Sequence, residues 1–405
     1  MGKEKMNNLK KVSRTLYSCR RCGMCGNKVT ASVPYICPVR ESTPGFDHFY
    51  ARGKTVIAQG LLEGRIEPSK ELAEVLFSCT LCSNCMTQCG SLNGDTGEAL
   101  VDTTGIVQAM RADFLRNHPE WVDPAYQGVL NATRRYNNPW GLPRTARDKW
   151  AHGMELKQAG KEPAPVLLFV GCTMASSQAL SGRARKAAQI LQKAGVDFAV
   201  LGKDEPCCGS VQKRIGDPDL AGAMMEENIS LFNGLGCKTI VTLCAGCTSM
   251  LKKEYAGAEK KLEPAVVHIV ELLPRLLKEN KLALKKNLSL RAVYHDPCHL
   301  GRYLGIYDQP REIISSVPGV TLLERAATKE NTICCGAGGG MRIFESGALA
   351  EKIGRAAVEA AAGTGAEALV TACPFCEMNL DTAAKNSNSA IRIYDIIDLV
   401  HDAMS

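Results

Sequence analysis

Two stretches of this chain are near copies of one another, and each carries the same five cysteines. One contains Glu205-Pro206-Cys207-Cys208-Gly209, the other Thr332-Ile333-Cys334-Cys335-Gly336. A lone cysteine precedes each Cys-Cys-Gly, at Cys172 and Cys298, and a Cys-x-x-Cys pair follows, at Cys244/Cys247 and Cys373/Cys376. The offsets between equivalent cysteines are 126, 127 and 129 residues along the two copies. A near-constant offset over five cysteines marks an internal duplication. The flanks repeat as well: Val267-His268-Ile269-Val270-Glu271-Leu272 lines up with Tyr394-Asp395-Ile396-Ile397-Asp398-Leu399. The fold must therefore contain one structural unit twice, with equivalent cysteines at equivalent places.

Eight further cysteines lie in the first hundred residues. Cys19, Cys22 and Cys25 form a three-toothed comb followed by Cys37-Pro38; Cys79, Cys82 and Cys85 form a second, followed by Cys89. Such combs, with a more distant fourth cysteine, are the signature of cubane 4Fe-4S clusters. In two-cluster ferredoxins the fourth cysteine ligates the other cluster. Here that gives Cys19, Cys22 and Cys25 with Cys89, and Cys79, Cys82 and Cys85 with Cys37. The gap from Cys25 to Cys37 is long, and Gly90 replaces proline after Cys89, so Cys37 and Cys89 are the least constrained members. The bland alternative is a pair of zinc sites, which favour two-plus-two spacing. Adjacent cysteines such as Cys207-Cys208 also fit tetrahedral zinc poorly; they suit neighbouring irons of a larger cluster. Gly209 and Gly336 let the backbone turn beside such a group.

The pattern between the cysteines alternates. Helices are expected at Tyr50–Leu62, Ser69–Phe77 and 100–117. From Ala164 short apolar strands alternate with helices: strands at Val166–Val170, Val196–Leu201 and Thr239–Leu243, helices at Gly182–Ala194, Asp219–Phe232 and Val267–Lys278. The second copy gives strands at Leu290–Tyr294, Val320–Leu323 and Ala368–Thr371, with helices at Arg311–Val317, Arg342–Ala362 and Tyr394–His401. This alternation predicts parallel sheets covered on both faces. Each lone cysteine and each Cys-x-x-Cys then falls at the C-terminal end of a strand, where open α/β sheets place ligands. Residues 118–163 hold five prolines and all three tryptophans, and read as a linker packed between domains.

Nineteen cysteines point to metal or redox chemistry if the compartment is reducing. The N-terminus lacks an apolar h-region, and no run of about 18 apolar residues occurs, so the expectation is a cytoplasmic protein with no membrane span of its own. The formal charge of +7 is mild, and metal–thiolate groups would offset much of it. The modest basic stretch from Lys3 to Arg21 does not make a nucleic-acid footprint; it suits an acidic partner or a membrane surface.

The duplicated Cys…Cys-Cys-Gly…Cys-x-x-Cys pattern resembles the cysteine-rich CCG domain of heterodisulfide reductase. With a two-cubane region ahead of it, the chain resembles the fused HdrD subunit of that enzyme over nearly its whole length. It is also similar to the iron–sulfur subunits of glycolate oxidase, lactate utilisation and anaerobic glycerol-3-phosphate dehydrogenase. The resemblance implies an α+β fold: a helical, ferredoxin-like domain with two 4Fe-4S cubanes (1–117), the linker (118–163), and a duplicated α/β CCG domain (164–289 and 290–405). It further implies a noncubane 4Fe-4S cluster on Cys172, Cys207, Cys208, Cys244 and Cys247, and another on Cys298, Cys334, Cys335, Cys373 and Cys376. Disulfide chemistry would occur between them, with the adjacent pairs Cys207/Cys208 and Cys334/Cys335 as the catalytic cysteines.

The expected function is an anaerobic iron–sulfur oxidoreductase subunit that carries electrons from the cubanes to the paired noncubane clusters. A flavoprotein subunit or a membrane cytochrome subunit is the expected partner, which would place the protein at the inner face of the membrane in the second case. A small disulfide is the expected substrate. The rival is a pure electron relay for a flavin-dependent dehydrogenase; the rival from another class is a zinc-stabilised interaction protein. His295 and His299, flanking Cys298, read as outer-sphere donors to thiolate rather than proton donors. Glu205 has the same standing. Cys237, outside every set, reads as a buried structural thiol. Gly53-Lys54-Thr55 ends like a P-loop, but His48 stands where its first glycine belongs.

Overall fold

Serine and aspartate caps start the helices around the N-terminal cysteines. Lys70–Phe77 begins at Ser69, whose hydroxyl accepts from the Leu72 N–H, and Thr103–Asn117 begins at Asp102, which accepts from the Gly105 N–H. Ala51–Glu63 ends at Gly64, whose φ of 69° suits glycine. A computed structural model describes residues 6–27, 30, 35–343 and 347–404. The first part of the Lys3–Arg21 stretch lies outside them.

The chain forms two compact units. The first comprises Met1–Gly128, Val211–Pro218 and Ala326–Ala357, the second Val129–Ser210, Asp219–Arg325 and Val358–Ser405. Two short pieces of the repeats thus belong with the N-terminal cysteines. The helix Thr103–Asn117 runs through the middle of the first unit. Its Asp113 carboxylate accepts from the Asn8 and Leu9 N–H groups, holding the helix Asn7–Lys11. Its Arg111 is fully buried, and its guanidinium donates to the carbonyls of Leu76, Phe77, Cys79, Arg214 and Gly339. A buried charge is tolerated when every donor finds a dipole.

Among the described residues nine strands, all in the second unit, run β1 Lys157–Gln158, β2 Val166–Phe169, β3 Phe198–Val200, β4 Thr239–Thr242, β5 Ala265–His268, β6 Leu290–Tyr294, β7 Val320–Leu323, β8 Ala368–Thr371 and β9 Arg392–Asp395. They pair in parallel as two sheets, β1-β3-β2-β4-β5 and β7-β6-β8-β9. Without β1, both have the order second-first-third-fourth, so the duplication is one of topology as well as sequence. The α+β class follows from this helical first unit and paired parallel sheets. No helix among the described residues is long and apolar enough to cross a membrane.

Some elements differ from expectation. The helices read at Val267–Lys278 and Tyr394–His401 begin later, at Ile269 and Ile396, because β5 and β9 take the residues before them. The apolar run is continuous across strand and helix, so periodicity does not mark the join; the caps His268 and Asp395 do. Helices Ala245–Ser249 and Pro374–Asn386 follow the Cys-x-x-Cys cysteines, the second with Pro374 in its first turn. The stretch 118–163 holds the helix Pro124–Tyr136 and β1. The helix read from Arg342 is Ala348–Ala362, and residues 344–346 lie outside those described.

The His268 cap of the helix Ile269–Lys278 predicts a pH response. His268 Nδ1 accepts from the Val270 N–H at 3.3 Å, which requires a neutral ring. Burial, followed by the nearby Lys252, lowers its pKa to about 3. A depressed histidine stabilises above its unfolded value near 6.5 and loses that contribution as pH falls towards 3. His268→Asn, which keeps an acceptor, is expected to remove up to about 1.4 kcal/mol per pH unit of acid destabilisation below pH 6.5. Urea unfolding at pH 7 and pH 5 checks it; an unchanged pH slope would refute it.

The repeats exchange helices. Ser181–Lys193, the first full helix of copy one, packs on Ile396–Ala403, the last of copy two; Ile269–Lys278, the last of copy one, packs on Asp308–Ser315.

Candidate metal centres

The two combs share one backbone path. In Cys19-Arg20-Arg21-Cys22-Gly23, Arg21 has φ 55° and Gly23 φ 79°; in Cys79-Thr80-Leu81-Cys82-Ser83, Leu81 has φ 52° and Ser83 φ 64°. Left-handed φ is rare for arginine, leucine and serine, and persists where the surroundings impose it. Each comb also follows a helix end with nearly the same text, Leu16-Tyr17-Ser18-Cys19 and Leu76-Phe77-Ser78-Cys79, so the repeat set by the comb spacing extends into the flanking helices.

The structure brings Cys89 to the first comb and Cys37 to the second. Cys25 is pushed up to about 12, mainly by burial, with Cys19, Cys89 and Cys22 as charged neighbours. Cys37 is pushed up to about 12 by burial against the pull of Lys54, with Cys79 and Cys82 nearby; Cys85 faces Cys82, Cys79, Cys25 and Cys37. An open cleft is lined by Cys19, Cys22, Cys25 and Cys89, with Cys85 also in its wall. The Leu81 and Ser91 N–H groups approach the Cys79 and Cys89 sulfurs at 3.5 and 3.4 Å. Backbone donors of this kind stabilise thiolate ligands. Four converging thiols on a turn that points amides inward fit a multi-iron anionic group at each comb. Lys54, which has no sequence signal beyond the rejected P-loop, is buried in the helix Ala51–Glu63, and its Nζ donates to Phe49 O at 2.6 Å beside Cys37.

The second comb is covered. Gly338 and Gly339 lie so close to the Thr80 and Cys79 carbonyls that a β-carbon at either would collide with them. The run Ala337-Gly338-Gly339-Gly340 is thus a close-approach surface that seats the Cys334-Cys335 segment in the first unit. Gln88 Nε2 donates to Asn331 Oδ1 at 2.7 Å on the same side.

In the second unit, seven thiols form an unbroken line. Cys208 Sγ lies 3.3 Å from Cys247 Sγ. Cys172 reaches Cys207, Cys207 reaches Cys208, Cys247 reaches Cys244, and Cys244 reaches Cys373, which reaches Cys376. The line therefore passes from the first set into the second. The Cys207 and Cys247 thiols directed at Cys208 draw its pKa down to about 5. All seven are buried: Cys172, Cys244/Cys247 and Cys373/Cys376 beyond the C-terminal ends of β2, β4 and β8, and Cys207/Cys208 in the loop after β3. Cys298 is half-buried beyond β6. This dense, apolar-walled thiol line with few other acceptors fits an iron–sulfur group. Cys237, read as buried, is only partly so, and borders the first sheet's core.

Residues of the supposed linker brace this site. Asn137 Oδ1 accepts from the Cys207 N–H at 2.8 Å. Trp140 packs against Cys172 and Cys207, donates from Nε1 to Thr173 Oγ1 at 3.1 Å, and lies 5.8 Å from the Phe375 ring inside the second Cys-x-x-Cys. Glu205 is buried, accepts from the Val170 and Gly171 N–H groups, and pairs with Arg147 at 3.4 Å. Its carboxylate joins the Cys172 and Cys207 loops, and burial raises its pKa. His295 is buried, and burial and Arg325 hold its pKa at about 3, which suits the outer-sphere reading. His299 approaches Gly246, between Cys244 and Cys247: a β-carbon there would lie 3.6 Å from its Nδ1. No local sequence signal marks Asn137, Trp140 or Arg147, because the contacts that tie them to the cysteine loops, to Cys207, Thr173 and Glu205, are distant in sequence.

Comparison with known proteins agrees with this architecture. The family of 4Fe-4S dicluster domains matches residues 15–91, and the family of cysteine-rich CCG domains matches residues 166–252 and 292–381. The HdrD subunit of the dihydromethanophenazine:CoB–CoM heterodisulfide reductase of Methanosarcina acetivorans is 32% identical over 96% of this chain and 94% of its own. The probable iron–sulfur-binding oxidoreductase FadF of Bacillus subtilis is 29% identical over 95% of this chain and 59% of its own. The EtfAB:quinone oxidoreductase of Syntrophomonas wolfei is 29% identical over 82% of this chain and 47% of its own.

Proposed function

Because the chain belongs to the HdrD family of heterodisulfide reductases, we propose that this iron–sulfur oxidoreductase subunit reduces a small disulfide with two cubane and two noncubane 4Fe-4S clusters. Cys19, Cys22, Cys25 and Cys89 would hold one cubane, and Cys79, Cys82, Cys85 and Cys37 the other. Cys172, Cys207, Cys208, Cys244 and Cys247 would hold one noncubane cluster, and Cys298, Cys334, Cys335, Cys373 and Cys376 its counterpart. Bound clusters of this kind supply single electrons, and a pair supplies the two that a disulfide takes up. The chain's own residues fix the geometry: Asn137 and Glu205 with Arg147 hold the Cys172 and Cys207 loops, and Trp140 closes the side towards Phe375 against water.

The carrying observation is the thiol line from Cys172 to Cys376, because it joins the two five-cysteine sets. The protein would act in the cytoplasm as one subunit of a redox complex whose flavoprotein or membrane cytochrome partner handles two-electron donors. A relay role is the second reading, favoured by the burial of Cys207 and Cys208, which a substrate would have to reach. Four clusters require about sixteen irons per chain. Iron and sulfide analysis of anaerobically purified protein is expected to give that count. About eight irons, with zinc making up the rest, would refute the noncubane assignment.

A further inference from the structure

The two combs offer an internal comparison. They share sequence text, backbone path and proposed chemistry, yet their outer faces differ. At the second comb Thr80 is 2% exposed and Leu81 0%, beneath the glycine run. At the first, the equivalent residues are Arg20 and Arg21, both exposed, and Cys22 is exposed where Cys82 is buried. Phe77, ahead of the second comb, is covered by Tyr126, its ring 5.1 Å away; the equivalent Tyr17 is 52% exposed. Met24 is also exposed, beside Cys25.

The exposed face is basic. Within the described residues 6–27, Lys10, Lys11, Arg14, Arg20 and Arg21 are exposed and no acidic residue occurs. Arg14, on the helix Ser13–Tyr17, is exposed on the approach to Cys19. Glu63, the acidic group that reaches Tyr17, is engaged by the Tyr17 hydroxyl and by Arg65. The second comb has its cations buried, Lys54 beside Cys37 and Arg111 on the Cys79 carbonyl, whereas those of the first comb face solvent.

We propose that the basic, partly apolar face around Cys22 is the docking surface for an acidic one-electron carrier protein, and that electrons enter the chain at the first comb. The inference rests on the cluster assignment above, and adds which comb meets the partner and what charge that partner carries. Complementary charge around a redox centre steers encounter and weakens with salt. A membrane surface would also attract arginines. It would not account for Arg20 and Arg21 lining the same cleft as Cys22, the exposed thiol among the described residues of the combs.

The test uses the anaerobic, cluster-loaded full chain and a small acidic two-cluster ferredoxin as probe, with affinity measured by interferometry. The parent is expected to bind at 20 mM salt and to weaken at least tenfold at 300 mM. Arg14→Glu/Arg20→Glu, both sites with ordinary backbone, is expected to lose at least tenfold in affinity and most of the salt dependence. Its iron content and dithionite-reduced spectrum should match the parent. Lys193→Glu, an exposed lysine of the second unit, should bind like the parent. Tyr17→Ser adds a charge-neutral variant expected to weaken binding without altering the salt slope. Unchanged affinity in the double variant, or an equal loss in Lys193→Glu, overturns the proposal. So does parent binding to anionic phosphatidylglycerol vesicles that the double variant loses while keeping the ferredoxin. Missing iron in the parent would instead count against the cluster assignment.

Discussion

Arg111→Met is expected to destabilise the first unit by at least about 4 kcal/mol, because it leaves several buried carbonyls without donors at roughly 1–3 kcal/mol each. The carbonyls of Leu76, Phe77 and Cys79 lead into the second comb, and those of Arg214 and Gly339 come from the two repeat segments in that unit. The second comb should therefore suffer first: its cubane signal in reduced-state EPR should be lost or broadened while the first comb's persists. Arg111→Lys should rescue little, since one ammonium has three donors and cannot span this fan of acceptors. Urea unfolding followed with EPR measures both effects. A midpoint within experimental error of the parent would show that the guanidinium is dispensable.

The second large effect concerns the adjacent cysteines. Viologen-reduced protein is expected to turn over a low-molecular-weight disulfide, and Cys208→Ser and Cys335→Ser are each expected to lower that turnover at least about a hundredfold, the scale of removing an essential group. The cubane signals should remain in both, because the combs use other cysteines. Cys208 touches Cys207 and Cys247, so its loss breaks the thiol line at its middle. A broad disulfide screen with no turnover, together with rapid electron exchange with a flavoprotein, would decide for the relay.

The strands and their cysteines were legible because each signal is local. Leu290–Tyr294 and Ala368–Thr371 are short apolar runs, and a cysteine beyond a parallel strand has one end of the sheet to occupy. The boundary at His268 was hidden because Val266, Val267, Ile269 and Val270 are apolar in strand and helix alike. The grouping of Cys89 with the first comb follows from a spacing rule. The braces did not: Asn137 meets Cys207, and Trp140 meets Phe375, only through the chain's path around the sheets. Composition marked 118–163 as irregular, yet Pro124 there begins a helix, as proline at a first turn can.

The exchanged helix pairs carry a consequence for how such a chain could arise. When the first helix of each copy covers the last helix of the other, a lone copy would leave two apolar helix faces open to water. Two separate copies would close both at once through a twofold, isologous contact. A homodimer of one repeat is thus a complete structure, and joining its ends in a single chain releases the two contacts from being identical. They have since diverged in charge. At one, Arg183 and Lys186 meet Glu377, Asp398 and Asp402; at the other, Lys278 pairs with Glu312 at an exposed position. Joining the copies thus frees the setting of Cys373 and Cys376, where Arg183 pairs with Glu377, from having to match that of Cys244 and Cys247.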